Sequence, residues 1–177
     1  MKAAAAIVCI AAACCSCVPT PQSYTIPDQH KPVADGPKPV YEFGEFVRAN
    51  DSTAERYFVK GIRGLESSAY RWTLAEPEFR FTLKSAKDRR FRIEFGISDR
   101  TLEDTGPLNI VFLVNGHELD RVKYTTFGDK VFEKRVPEEW LNATGENRVL
   151  VRVLNPWQAP DPGVKLGVLL LSAGFVS

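Results

Sequence analysis

The sequence has no cysteine after Cys17, because all four of its cysteines lie at or before that position. The rest of the chain therefore cannot form disulfides, and its stability must come from a packed core. Histidines are almost as scarce, with only His30 and His117 present. Cys14 and Cys17 form one Cys-x-x-Cys pair, but a zinc site needs a second pair or histidines at suitable spacing. We therefore predict no metal site of this kind.

The sequence also lacks an excess of charge of either sign. It contains 23 Lys+Arg and 22 Asp+Glu, and removal of an N-terminal segment with Lys2 would leave 22 of each. A near-neutral chain does not present the basic surface that attracts nucleic acid or anionic lipids. We expect no nucleic-acid partner.

Short catalytic motifs are missing as well. The sequence contains no Gly-x-Ser-x-Gly, His-Glu-x-x-His or P-loop pattern. His117 follows an Asn-Gly turn, where an exposed hairpin residue is expected rather than a member of a triad. Paired carboxylates of the glycosidase type have no short motif and stay open as an alternative. The sequence favours a protein that is not an enzyme and that has no cofactor.

The first residues have the form of a secretion signal. A single lysine precedes an uncharged apolar run that is shorter than the ~20 residues of a membrane-spanning helix. The run ends in "AAAC", Ala11 to Cys14, which resembles the lipobox of bacterial lipoproteins. This resemblance implies cleavage after residue 13, a lipid anchor on Cys14 with Cys17 as the alternative, and export to the bacterial cell envelope. The partner would then be a membrane, reached through the lipid.

A proline-rich segment follows the cysteines. Six prolines occur between Val18 and Val40, and proline disfavours both helix and sheet. Residues 14–40 therefore read as the lipidated cysteine and an extended tether, of which the part from Val18 to Val40 reaches at most ~70 Å, at ~3.1 Å per residue. The remaining residues, 41–177, are long enough for one domain with its own core.

The pattern of residues 41–177 is that of β-strands. In "EFRFTL" and "RFRIEFGI" apolar and polar residues alternate, whereas "LNIVFLV" and "GVLLLSAGF" are continuously apolar, as in central strands. Turn signals separate these runs, which predicts an all-β antiparallel sandwich. Only residues 137–146 look helical, as a single turn, and residues 50–70 look like two short strands around Gly61 and Gly64.

The second half of the domain has a recognisable order of motifs: a strand ending in "VNG", a strand ending in "VP", one helical turn, "GEN" and a further strand. It resembles galactose-binding-like jelly rolls, including the sandwich domains attached to bacterial glycoside hydrolases. This resemblance implies a non-catalytic domain that binds a glycan or a cell-envelope polysaccharide. The alternative is a structural or assembly lipoprotein whose sandwich binds another protein, and the sequence does not name that partner.

If every connection after "EFRFTL" reverses the chain direction, one end of the sandwich collects residues 98–107, 125–129 and 155–163. These loops hold aromatic and acidic side chains, and a sugar site pairs an aromatic platform with fixed polar groups. In the alternative, Trp157 caps the core and the acidic side chains are only solvated. A calcium ion held by the acidic loops is a further alternative, although no EF-hand spacing is present. A structural ion pair is expected for Glu66 and Arg71, with a ligand role as the alternative. The candidate ligand-binding residues are Trp157, Asp161, Phe127, Asp129, Arg71 and Glu66.

Overall fold

The computed structural model describes residues 44–66, 68–161 and 163–177. The predicted signal, Cys14 and the tether lie outside the described residues. The described residues form ten strands and one α-helix, with two short 3-10 turns at Ala54–Tyr57 and Glu138–Trp140. The elements are β1 (Phe46–Arg48), β2 (Phe58–Glu66), β3 (Tyr70–Thr82), β4 (Arg90–Ile97), α1 (Asp99–Thr105), β5 (Leu108–Val114), β6 (His117–Tyr124), β7 (Gly128–Arg135), β8 (Glu146–Val153), β9 (Trp157–Gln158) and β10 (Lys165–Val176).

The alternation in the sequence explains which face of each strand is buried. In β4 the apolar residues Phe91, Ile93 and Phe95 are at most 1% exposed, whereas Arg92 and Glu94 between them are half-buried on the other face. β8 and the second half of β3 follow the same rule, whereas β5 is buried on both faces around Val111. These three strands contribute further fully buried aromatic and aliphatic side chains. Burial of these side chains is the main stabilising contribution to a domain without disulfides.

All strand pairs are antiparallel, and the main path runs β6-β5-β8-β3-β10-β4-β7. β3 and β10 are the longest strands and each changes partner along its length. The first part of β3 pairs with β10 and its second part with β8, while β10 continues beside β4 and β1. These two strands therefore connect the two layers.

The two ends of this path, β6 with β5 at one end and β7 at the other, meet across the core. Phe112 of β5 stacks on Phe132 of β7, with ring centroids 3.8 Å apart and an interplanar angle of 8°. Outside the core, Lys134 Nζ of β7 donates to Asp120 Oδ2 of β6 at 2.8 Å. The sheet is thus folded into two facing layers, and the prediction of an all-β antiparallel sandwich of the jelly-roll type is confirmed.

Two local predictions were wrong. Residues 98–107 were expected to form a loop, but they contain α1, because Ser98 caps the helix by accepting a hydrogen bond from the Thr101 N–H and Gly106 ends it at φ 70°. Residues 50–70 do not form two strands around Gly61 and Gly64. They form the single strand β2, whose pairing with β3 shifts register three times.

The predicted sorting of the connections between two ends agrees with the contacts. Asn155 Nδ2 donates to the carbonyl of Pro107 at 2.8 Å, which joins residues 155–163 to residues 98–107. At the opposite end Arg135 pairs with Asp88 at 2.6 Å. Within the described residues, no helix is long and apolar enough to cross a membrane.

Candidate functional site

The outer face of the layer formed by β3, β10, β4 and β7 carries one row of neighbouring residues. The register places Trp72 beside Leu169, Leu169 beside Gly96, and Gly96 beside Asp129. Directly paired residues of antiparallel strands point to the same face. Four strands at ~4.8 Å spacing make this row about 14 Å wide.

A second row, beside the first, brings in Trp157. Trp157 of β9 pairs with Leu166, and Leu166 pairs with Leu74 on its other side. Leu166 is only 6% exposed, whereas Leu74 is 39% exposed. The indole of Trp157 lies 6.2 Å from that of Trp72, at 31°. The two tryptophans are therefore neighbours on the outer face, and both are half-buried.

The orientation of Trp157 is fixed from the side by α1. Its Nε1–H donates to Asp104 Oδ2 at 2.7 Å, and Arg100 Nε donates to the same oxygen at 2.8 Å. The hydrogen bond from Trp157, and then the one from Arg100, hold the pKa of Asp104 below its ordinary value. A charged acceptor and a ring neighbour restrain the indole before any ligand arrives, which lowers the entropy lost on binding.

Trp140 and Trp157 differ in what they contact. Trp140 packs against the hydrophobic core and stacks on His117 at 4.8 Å, as expected for a residue that closes the opposite end of the sandwich. Trp157 instead packs on Trp72 at the outer surface. Trp157 is not among the residues packed on the core, which favours a platform over a cap.

Asp129 lies at the far end of the first row. A Cβ built on Gly96 would lie 3.4 Å from Leu169 and 3.5 Å from Asp129 Oδ1, so the missing side chain leaves a shallow step between these two residues. We define the tryptophan platform as Trp72, Trp157, Leu169, Gly96 and Asp129. It combines two aromatic rings, an aliphatic floor and one carboxylate.

The structure places Arg71 and Glu66 elsewhere. Arg71 is 6% exposed and lies on the face of β3 opposite to Trp72. Its Nε donates to the carbonyl of Ala49 at 2.7 Å and its guanidinium pairs with Glu55 at 2.6 Å. The expected ion pair with Glu66 was therefore wrong, and Arg71 anchors the segment before β2 to the sheet. Glu66 is exposed at the end of β2.

Phe127 and Asp161 are loop residues outside the two rows. Phe127 is 66% exposed, and its carbonyl accepts a hydrogen bond from Lys130 Nζ at 2.9 Å. Asp161 is also exposed, and its carbonyl accepts from the Val164 N–H at 3.2 Å. Of the six candidates, the structure brings Trp157 and Asp129 to one face. Within residues 44–66, 68–161 and 163–177, no cluster of three or more His, Cys, Asp or Glu suits a metal ion.

Sequence reasoning did not identify Trp72, Leu169 and Gly96 as site residues. Trp72 and Leu74 alternate with buried Arg71 and Thr73, so the period-two pattern of β3 carried a usable signal. Leu169 and Gly96 are brought to Trp72 by pairing between strands that are distant in sequence, which a single sequence does not reveal.

No protein-family model matches this sequence, and no curated protein is significantly similar to it. Solved structures that are similar include a family 35 carbohydrate binding module from an environmental isolate, with a TM-score of 0.45, 11% identity and coverage of 76% of this chain and 91% of that one. A second is Xyl-CBM35 in complex with a disaccharide that contains glucuronic acid, with a TM-score of 0.44, 12% identity and coverage of 75% and 92%. A third is a family 35 carbohydrate binding module from Clostridium thermocellum, with a TM-score of 0.45, 10% identity and coverage of 75% and 98%.

Proposed function

We propose that this protein is a non-catalytic carbohydrate-binding protein that uses the tryptophan platform to hold a glycan. The observation that carries the proposal is the pair of indoles on the outer face, with Trp157 fixed by Asp104 and Trp72. A sugar ring has one face of C–H groups, which packs on an aromatic surface, and a rim of hydroxyls, which need polar partners. The platform offers rings for the first and the carboxylate of Asp129 for the second.

A glycan array probed with the full chain in detergent tests this proposal. Wild-type protein should bind at least one class of glycan, and Trp157→Ala and Trp72→Ala should each abolish that signal. His117→Ala is the matched control, because it removes one ring of the aromatic pair at the opposite end of the sandwich. Loss of binding in the control variant, or retention in both tryptophan variants, would show that the platform is not the site.

We further propose that Cys14 carries a lipid that anchors the protein to a membrane of the bacterial cell envelope. The support is the short apolar run that ends at "AAAC" and the absence of another role for clustered cysteines. One acyl chain anchors weakly, whereas several chains on one residue hold a protein firmly. Cys14→Ser should remove acyl labelling and release the protein from the membrane fraction, while Cys17→Ser should change neither. The reverse result would move the anchor to Cys17.

A further inference from the structure

A groove continues the outer face beyond the tryptophan platform. In the next row of the sheet, Arg48 of β1 pairs with Ser172 of β10, and Ser172 pairs with Glu94 of β4. With Phe46, Arg92 and Leu171, these residues line a groove of about 340 Å³. We call it the Ser172 groove.

Ser172 is the buried polar residue of this groove. The residue is 3% exposed, and within the described part of the chain its Oγ makes no close hydrogen bond. Its hydroxyl faces the Glu94 carboxylate and helps to hold the pKa of that carboxyl down, so Glu94 is a weak partner for it. A ligand hydroxyl in the groove would give Ser172 a closer hydrogen-bond partner.

The groove also has a cation that is free to move. Arg48 is exposed, and among the described residues its guanidinium has no carboxylate within ion-pairing distance. Its electrostatic partner is Glu94, whose pKa it lowers slightly. An exposed arginine without a fixed partner can change rotamer and donate hydrogen bonds to a ligand.

Glu94 provides a fixed acceptor on the other side. Arg92 holds its carboxylate through Nε at 3.1 Å and through its terminal nitrogen at 2.6 Å, and Arg92 also reaches Glu133 at 3.3 Å. The hydrogen bond from Arg92 is the main cause of the lowered pKa of Glu94. The groove thus presents donors, a fixed acceptor and an apolar wall at Phe46 and Leu171, which suits a ring that carries hydroxyls.

The groove and the platform share one face. Glu94 is two residues from Gly96 along β4, which corresponds to about 7 Å at ~3.4 Å per residue. This offset is comparable to the length of a hexose unit, so a chain held on the platform would reach the groove with a following unit.

We propose that the Ser172 groove is a second sugar subsite, so that the outer face binds consecutive units of a linear polysaccharide rather than one terminal sugar. This inference rests on the proposed function and adds the class of substrate to it. Each subsite raises the local concentration of the chain at the other, so a long chain binds more tightly than a short one.

Calorimetry with the full chain in detergent tests the groove. The probes are the hexasaccharides of β-1,4-linked glucan, xylan and mannan and the three corresponding disaccharides. One hexasaccharide should bind at least about tenfold more tightly than its disaccharide. The double variant Arg48→Ala with Ser172→Ala should lose that advantage and keep wild-type affinity for the disaccharide. Arg135→Ala is the charge-matched control, because Arg135 is an exposed arginine that pairs with Asp88 at the far end of β7.

The outcomes separate the two proposals. The groove is not a subsite if the double variant binds the hexasaccharide as tightly as wild type does, or if the hexasaccharide binds no more tightly than the disaccharide. The platform proposal is unaffected by either result as long as Trp157→Ala loses binding. If wild-type protein binds none of the six probes, the groove proposal is overturned. The glycan array then decides the proposed function independently.

Discussion

Replacing Trp157 with alanine distinguishes a surface platform from a support of the core. The variant loses the ring contact with Trp72, and an aromatic pair contributes ~0.5–1.5 kcal/mol beyond the area it buries. It also loses part of the area of a half-buried indole, but leaves no cavity in the core. We therefore expect the free energy of unfolding to fall by about 1–2 kcal/mol, a decrease in Tm of ~3–10 °C for a domain of this size.

The comparison is Trp140→Ala at the opposite end of the sandwich. Trp140 packs against the core, and its carbonyl accepts a hydrogen bond from Asn115 at 2.7 Å. Removal of a large aromatic from such a position costs about 3 kcal/mol or more. Thermal and urea unfolding of both variants measures the difference, and glycan binding should disappear only in Trp157→Ala. A loss in Trp157→Ala as large as that in Trp140→Ala would refute the platform and return Trp157 to the role of a cap.

Three further changes have expected outcomes. Trp157→Phe removes the main donor to Asp104, so the pKa of this carboxyl should rise toward its ordinary value in an NMR titration. The decrease in the free energy of unfolding as the pH falls below about 4 should then be smaller than in wild type. An unchanged pKa would contradict the hydrogen bond. Burial, with a smaller effect of Asp120, raises the pKa of Tyr124 to about 12. Ultraviolet titration should therefore show this phenol neutral at pH 11, and the free energy of unfolding should fall as the pH rises from about 10 to 12. Ionisation near pH 10 would show that the ring is exposed. Arg71→Ala should lower the free energy of unfolding in chemical denaturation by about 2 kcal/mol, because the carbonyl of Ala49 loses its buried donor. Glu55→Gln should lower it by less than about 1 kcal/mol, because Glu55 is largely exposed. Equal losses would contradict this assignment.

Much of the fold was predictable because strands such as β4 alternate between apolar and polar residues. Phe91, Ile93 and Phe95 repeat every second residue, and this period alone identifies β4 and its buried face. The two ends of the sandwich followed from counting chain reversals between antiparallel strands. α1 was missed because a helix of seven residues contains too few turns to show a helical period, although the Ser98 cap was present in the sequence.

The site was less predictable because it depends on register. A shift in pairing between Leu170 and Ser172 inserts an extra residue into β10, which places both Leu171 and Ser172 on the lining of the groove. The apolar run "GVLLLSAGF" gives no sign of this bulge. The partner of Arg71 was likewise hidden, since Glu55 lies 16 residues away and meets it only in the folded chain. Trp157 was recognisable because it is an aromatic residue in a proline-rich loop.

The meeting of β6 and β7 has a consequence for how copies of this protein behave side by side. An outermost strand normally exposes unpaired N–H and C=O groups, which can recruit a strand of another molecule and begin aggregation. Here the stack of Phe112 in β5 on Phe132 in β7 and the ion pair of Asp120 in β6 with Lys134 in β7 bring the two ends of the strand path toward each other. Charged side chains at Asp120 and Lys134 also discourage a foreign strand from pairing along these edges. The edges of β6 and β7 are therefore poor templates for a strand of another molecule.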